Sequence, residues 1–233
     1  MKDHQKIQSP PLACPVGEAD CVIASEVGEL RQNLAELSDL VRTDTLTGIA
    51  NYRYFLQALE QEIERTQRSG QPTSLIMLDI DFFKKVNDLW GHEIGNQALV
   101  HISRLIVQTV RKLDIPCRYG GEEFAVIMPD TDLRASAYGA ERIRRAIEEH
   151  PLPVAQQALK LTASLGIATF TTNQPITVEE LVEEADRYLY EAKDNGRNRV
   201  CHAELPILDA VSNEEKQVLS ELFGGSQSKK ESS

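Results

Sequence analysis

Ile115-Pro116-Cys117-Arg118-Tyr119-Gly120-Gly121-Glu122-Glu123-Phe124-Ala125-Val126-Ile127-Met128 is two β-rich runs around a polar tetrapeptide. Paired glycines and paired acids between such runs predict a hairpin, with strands over 115–119 and 124–128 and a turn at 120–123. Upstream, the strongest strand signal is the apolar run 73–81, which ends in Asp79-Ile80-Asp81. Side chains two apart along a strand share a face, so these two carboxylates leave the strand end together. Acids gathered on neighbouring strands repel one another unless a cation offsets them, and hard oxygen donors select magnesium or manganese. Each half is common as plain structure, an Asp-x-Asp ending a strand or a Gly-Gly making a turn. Both together point to a divalent-cation site.

Working outward, helical periodicity marks 53–68, a long amphipathic stretch 95–112, then 133–149 and 178–193, while 159–170 and 199–202 read as strands. The order predicts an α/β (α+β) domain over 44–203, a central sheet flanked by helices. Ahead of it, Ile23, Val27, Leu30, Leu34, Leu37 and Val41 recur at steps of four and three. Valines at a with leucines at d favour a parallel two-stranded coil, in which Glu26 reaches Arg31 of the other strand. Residues 23–43 are thus expected to be a stalk that dimerises, preceded by a flexible arm over 1–22 and followed by a partly disordered extension over 204–233. The stalk holds Gly28, which makes the coil marginal and open to adjustment by a partner.

The formal charge of −11 over 233 residues disfavours a nucleic-acid or anionic-membrane surface, since either needs a broad basic face. Cys14, Cys21, Cys117 and Cys201 form no CxxC pair or disulfide framework, which suits a reducing cytoplasm. No apolar run has membrane-spanning length, and the polar start lacks a signal-peptide core.

Several motifs in one order resemble the GGDEF family of diguanylate cyclases across most of the domain: Asp44-Thr45-Leu46-Thr47-Gly48 through Arg53, Asp79-Ile80-Asp81-Phe82-Phe83-Lys84 to Asn87-Asp88 and Gly91-His92, then Gly120-Gly121-Glu122-Glu123-Phe124, Ser164-Leu165-Gly166, and Tyr190-Glu191-Ala192-Lys193 to Gly196-Arg197-Asn198. The resemblance implies a mostly antiparallel sheet like the palm of nucleotidyl cyclases and polymerases, and condensation of two GTP into cyclic di-GMP. It implies that Asp79, Glu122 and the Ile80 carbonyl ligate Mg2+ or Mn2+, two ions per active site during turnover. Glu123 then sits at the attacking hydroxyl or at the second metal, and Asp81 either joins the metal or orients its neighbours. Lys193 and Arg197, one helical turn apart, project together and clasp the outer phosphates with Lys84 and the Phe82 and Phe83 backbone.

For the base, the resemblance sets Asn87 against guanine with Leu46 and His92 nearby. Asn96 stands where the family usually carries aspartate. A carboxamide holds one acceptor and one donor group, so it accepts from guanine more weakly and by flipping tolerates adenine. Arg111-Lys112-Leu113-Asp114, separated from Gly120 by five residues, has the spacing of the family's inhibitory product site, with Arg142 as a secondary contact. The reading is therefore a homodimer through the stalk, with catalytic domains meeting face to face, cyclic di-GMP as product and inhibitor, and a separate activator protein on the stalk. A silent cyclic di-GMP receptor or a stalk-mediated scaffold is the competing reading, against which the intact Asp79, Glu122, Glu123, Lys193 and Arg197 count.

Overall fold

The computed structural model describes residues 26–31, 33, 42–155, 157–173 and 176–205. Residues 26–31 and 33 are helical; most of the expected stalk 23–43, the arm 1–22 and the extension past 205 lie outside the described residues. The domain then runs α1 (Tyr52–Ser69), β1 (Thr73–Ile80), α2 (Phe83–Thr109), β2 (Ile115–Arg118), β3 (Glu123–Met128), α3 (Leu133–Glu149), β4 (Leu152–Val154), β5 (Gln157–Leu159), β6 (Ala163–Phe170), α4 (Val178–Asp194) and β7 (Val200–Cys201).

Five strands form one sheet in the order β2-β3-β1-β6-β7, antiparallel except for the β6–β7 pair. β1 is central, buried along its whole length, because it has a strand on either edge and helices on both faces. That is why its sequence is a continuous apolar run rather than an alternation. Ile76 and Leu78 face one cluster with Leu99 and Ile102 of α2 and Ile143 of α3; Leu75 and Met77 face the other with Phe55 and Leu59 of α1 and Leu181 and Leu189 of α4. Each such side chain taken wholly out of water contributes about 1.5–3 kcal/mol. Gly166 on β6 is where α4 comes closest: a Cβ there would overlap the backbone of Ala185 and Leu189.

Local signals fix the helix ends. Asn51 caps α1 by accepting from the Tyr54 N–H at 2.9 Å, and Gly70 closes it with φ 75°. Thr177 and Glu180 form a capping box at the start of α4.

Four expectations need correction. α2 begins at Phe83 rather than near residue 95, because Gly91 (φ 81°, ψ 161°) breaks the helical angles and with them the periodicity. The run 159–170 is not one strand: β5 ends a separate two-stranded hairpin with β4, and β6 starts at Ala163. Glu123 belongs to β3 and not to the turn. Finally, α4 ends at Asp194, so Lys193 and Arg197 are not one turn apart on a helix. Among the described residues, no helix is long and apolar enough to cross a membrane.

Candidate active site

β1 and β3 run antiparallel with Asp79 opposite Glu123, so the register alone brings two acids side by side at the end of the sheet's central pair. The hairpin adds a third. Tyr119 and Gly120 donate backbone N–H bonds to the Glu123 carbonyl at 2.9 and 3.2 Å, and the Ile80 N–H reaches the Glu122 carbonyl at 3.4 Å, which sets Glu122 beside the end of β1. Arg118 Nε and Nη2 donate to the Gly121 carbonyl at 3.3 and 2.9 Å, clamping the turn.

These acids perturb one another. Burial raises the Asp79 carboxyl above its ordinary 3.8, against the opposing hydrogen bond and charge of Lys193, whose Nζ lies 2.9 Å from Asp79 Oδ2. Glu122 is raised by burial and then by Asp79; Glu123 is raised by burial, by Asp79, and by Asp186 and Glu122. In each case Lys193 opposes the rise, and for Asp79 so does Arg197, so the cluster is an excess of negative charge facing these cations. Among the described residues no three such side chains converge closely enough to hold a metal by themselves. Asp79 and Glu122 still suit magnesium, which binds through one or two carboxylates and completes its shell with water and phosphate oxygens.

Asp81 adds to the rise of Asp79 but has partners of its own. It is buried, and its oxygens accept from Ser164 Oγ at 2.7 Å, Thr162 Oγ1 at 2.7 Å and the Asn198 N–H at 3.0 Å. These neutral donors were not legible from the sequence, because Thr162 and Ser164 meet Asp81 only through the β1–β6 register.

The cationic side converges by a different route from the one expected. Arg197 follows Gly196 in a turn where Gly196, Arg197 and Asn198 have φ 108°, 64° and 47°. That turn brings the Arg197 guanidinium to 4.6 Å from the Phe82 ring centroid and within electrostatic reach of Asp79. Phe82, itself at φ 57°, caps the start of α2, and Lys85 Nζ lies 4.5 Å from its ring centroid. Lys84 is exposed on the same first turn, whereas Phe83 is buried.

Leu46 and Asn96 line one cavity of about 380 Å³ together with Glu93, Gln97, His101 and Arg104. Asn87 packs against Gly95, where any Cβ would overlap its Oδ1, and His92 is exposed beyond it. The loop bearing Leu46 is fixed by Asp44, which accepts from Thr47 N–H and Oγ1 at 2.9 and 2.6 Å and from Arg118 Nη1 at 3.1 Å. Burial alone would raise Asp44, but the Thr47 and Arg118 bonds hold it below its ordinary value. Arg118 thus ties the Leu46 loop to the acid hairpin, a link that only the fold reveals.

At the far end of α2, Asp114 Oδ2 accepts the Arg111 N–H at 2.8 Å, and Arg142 Nη2 donates to the Thr109 carbonyl at 2.7 Å. Burial raises the Asp114 carboxyl, while the Arg111 bond and the Arg111 and Arg142 charges oppose it. The three residues therefore form one group, and Asp114 is spent on backbone rather than on an ion pair with the Arg111 side chain.

A family model described as diguanylate cyclase, GGDEF domain, matches residues 41–199. The response regulator PleD of Caulobacter vibrioides is 44% identical over 173 residues, covering 73% of this chain and 38% of PleD. Diguanylate cyclase A of Treponema denticola is 36% identical over 171 residues, covering 72% of this chain and 46% of that protein. The chain thus spans less than half the length of these curated relatives. Among solved structures, the diguanylate cyclase SiaD in complex with its activator SiaC from Pseudomonas aeruginosa matches with TM-score 0.67 and 37% identity, over 78% of this chain and 69% of that one. The coiled coil and GGDEF domain of DgcB from Caulobacter crescentus, in complex with c-di-GMP, matches with TM-score 0.66 and 32% identity, over 78% and 95%.

Proposed function

This chain belongs to the diguanylate cyclase GGDEF domain family, and from that premise we propose that it condenses two GTP into cyclic di-GMP and two pyrophosphates. The observation that carries the reading is the cross-strand pair Asp79–Glu123, with Glu122 on the adjoining turn and Lys193 at their open side. Asp79, Glu122 and the Ile80 carbonyl are the residues to hold a divalent cation, which when bound neutralises triphosphate charge and polarises the α-phosphate. Glu123 accepts the proton of the attacking 3′-hydroxyl. That oxygen then bonds to the α-phosphorus of the second GTP as the bond to pyrophosphate breaks. Lys193, Arg197, Lys84 and the first N–H groups of α2 hold the outer phosphates; Asn87, Asn96, Leu46 and His92 surround the base.

Each domain carries one GTP, so ring closure needs two domains face to face. Joining them through residues 23–43 raises the effective concentration of the half-sites. The likeness to SiaD, solved with an activator, supports control by a separate protein. Product bound at Arg111, Asp114 and Arg142 is the inhibitory state.

The test is incubation with GTP and Mg2+, and in parallel with equal GTP and ATP, with products identified by mass. Cyclic di-GMP that disappears with Glu123→Ala supports the reading; no cyclic product, with and without a stalk-binding activator, refutes it. Some mixed guanine–adenine product that Asn96→Asp suppresses assigns base selection to Asn96.

A further inference from the structure

Arg197 is held in a conformation that its own side chain disfavours. A residue with a Cβ at φ 64° crowds the following carbonyl, and here it is followed by a second left-handed residue, Asn198 at φ 47°. Asparagine tolerates that region, but arginine does not choose it, so the turn persists only where its surroundings over-determine it. Backbone bonds fix one side: Asn195 donates to the Glu191 carbonyl at 2.9 Å and Arg197 to the Ala192 carbonyl at 3.0 Å.

The other side is fixed by α3. Arg144 Nη1 donates to Asn198 Oδ1 and to Glu148 Oε2, both at 2.8 Å, and Asn198 Nδ2 donates to Glu148 Oε1 at 2.8 Å. Arg144, Glu148 and Asn198 thereby close a ring in which the orientation of the asparagine amide is dictated. Glu141 holds the remaining edge of the guanidinium, accepting from Nε at 2.9 Å and Nη2 at 2.8 Å. The Arg144 side chain is only 12% exposed, so this bidentate geometry is partly desolvated and stiffer than a surface pair. The Asn198 N–H continues the chain to Asp81 at the end of β1.

We propose that Arg144, with Glu148, is a positioning residue for the phosphate side of the site: it locks Asn198, and through the left-handed turn it aims the Arg197 guanidinium past Phe82 toward the Asp79 cluster. Arg144 itself touches no reacting group. The inference rests on reading Arg197 as a ligand for the GTP phosphates, and it adds what keeps that ligand in place.

The test is a set of variants of the full chain, read by GTP affinity and by kcat and KM. Loss of a residue that orients a ligand typically costs about 10–100-fold in affinity. Arg144→Ala, Glu148→Ala and Asn198→Gly are therefore expected to raise the dissociation constant and KM for GTP by about tenfold or more, with a smaller change in kcat. Asn198→Gly keeps a backbone at home in the left-handed region and removes only the amide, so its defect isolates the ring from folding. Arg144→Lys should remain defective, since one ammonium cannot span Glu141, Glu148 and Asn198. Arg145→Ala, which loses a bond to the same Glu141 but none to Asn198, should behave as the parent. In an Arg197→Ala background, Arg144→Ala should add less than about a twofold further change, because residues acting through one another are not additive.

Wild-type affinity in Asn198→Gly, or effects of Arg144 and Arg197 that multiply in full, would overturn the proposal. A chain that binds GTP but makes no cyclic product, with and without an activator, refutes the reaction proposed above, while the binding cycle still reads Arg144. The two conclusions therefore fail separately.

Discussion

Asp79 and Asp81 leave the same strand end on the same face, and their surroundings are opposite. Asp81 is enclosed by three neutral donors, from β6, from Thr162 just before it and from the turn before β7, and no lysine or arginine pairs with it among the described residues. Asp79 has one ammonium at 2.9 Å and the more distant charge of Arg197, and otherwise faces Glu122, Glu123 and Asp81. A carboxylate whose lone pairs are filled by fixed donors is part of the scaffold. One that is buried among its own kind is unfinished until a cation arrives, and perturbed groups of that sort concentrate at functional sites. Neighbouring positions of one strand end thus meet different chemistry: hydroxyls on and just before β6 reach Asp81, while the register of β3 sets an acid opposite Asp79.

The largest difference is expected in turnover. Asp79→Asn keeps the shape and removes the charge; product formation should fall by about 10²–10⁴-fold, the range seen when a group acting on the reaction is lost. Asp81→Asn keeps an acceptor for the Asn198 N–H and a partner for Ser164, and should lose less than about tenfold. Initial rates of cyclic product for the two variants decide it. Equal losses would erase the distinction drawn between the two carboxylates.

The next effect is on stability. Asp79, Glu122 and Glu123 have folded values above their ordinary 3.8 and 4.5, so the folded chain retains protons that the unfolded chain has released. Stability contributed by the protonated forms is therefore present at acid pH and is lost as pH rises from the ordinary values through the raised ones. Above that window the ionised cluster opposes folding, and a cation bound there restores stability. At about ten times its dissociation constant, Mg2+ should add about 1.4 kcal/mol, or roughly 3–6 °C in Tm for a chain of this size. The rise should be seen near neutral pH, shrink toward about pH 4, vanish in Asp79→Asn and survive in Asp81→Asn. Thermal melts with and without Mg2+ at the two pH values give the answer.

Much of this contrast was legible in the sequence. The two strands of the hairpin, the acids at the end of β1 and the exact span of α3 follow from apolar runs bounded by turn residues. What was hidden has physical causes. Gly91 interrupts α2, so the polar first turns from Phe83 read as loop. Glu123 looks like a turn residue beside Gly120 and Gly121 until pairing with β1 draws it into the strand. Arg197 reaches Phe82 through consecutive positive φ angles that no propensity would assign to arginine. Ser164 and Thr162 are ordinary strand and loop hydroxyls until an eighty-residue separation is closed by the sheet.

The smallest effect sharpens the account of Asp81 from within. Its two oxygens are not equally supplied: Oδ2 accepts from Thr162 Oγ1 and from the Asn198 N–H, whereas Oδ1 accepts from Ser164 Oγ. Removing Thr162 Oγ1 leaves Oδ2 with a partner, at a cost of about 0.5–1 kcal/mol. Removing Ser164 Oγ strips Oδ1 of its protein donor in a wholly buried setting, and an unsatisfied charged oxygen costs more, about 1–3 kcal/mol. Ser164→Ala should therefore lower the denaturation midpoint more than Thr162→Val, with GTP affinity little changed in either. Should Thr162→Val prove the worse of the two, the Asn198 N–H cannot be holding Oδ2, and the path from the turn of Arg197 to the end of β1 would have to run through Thr162 instead.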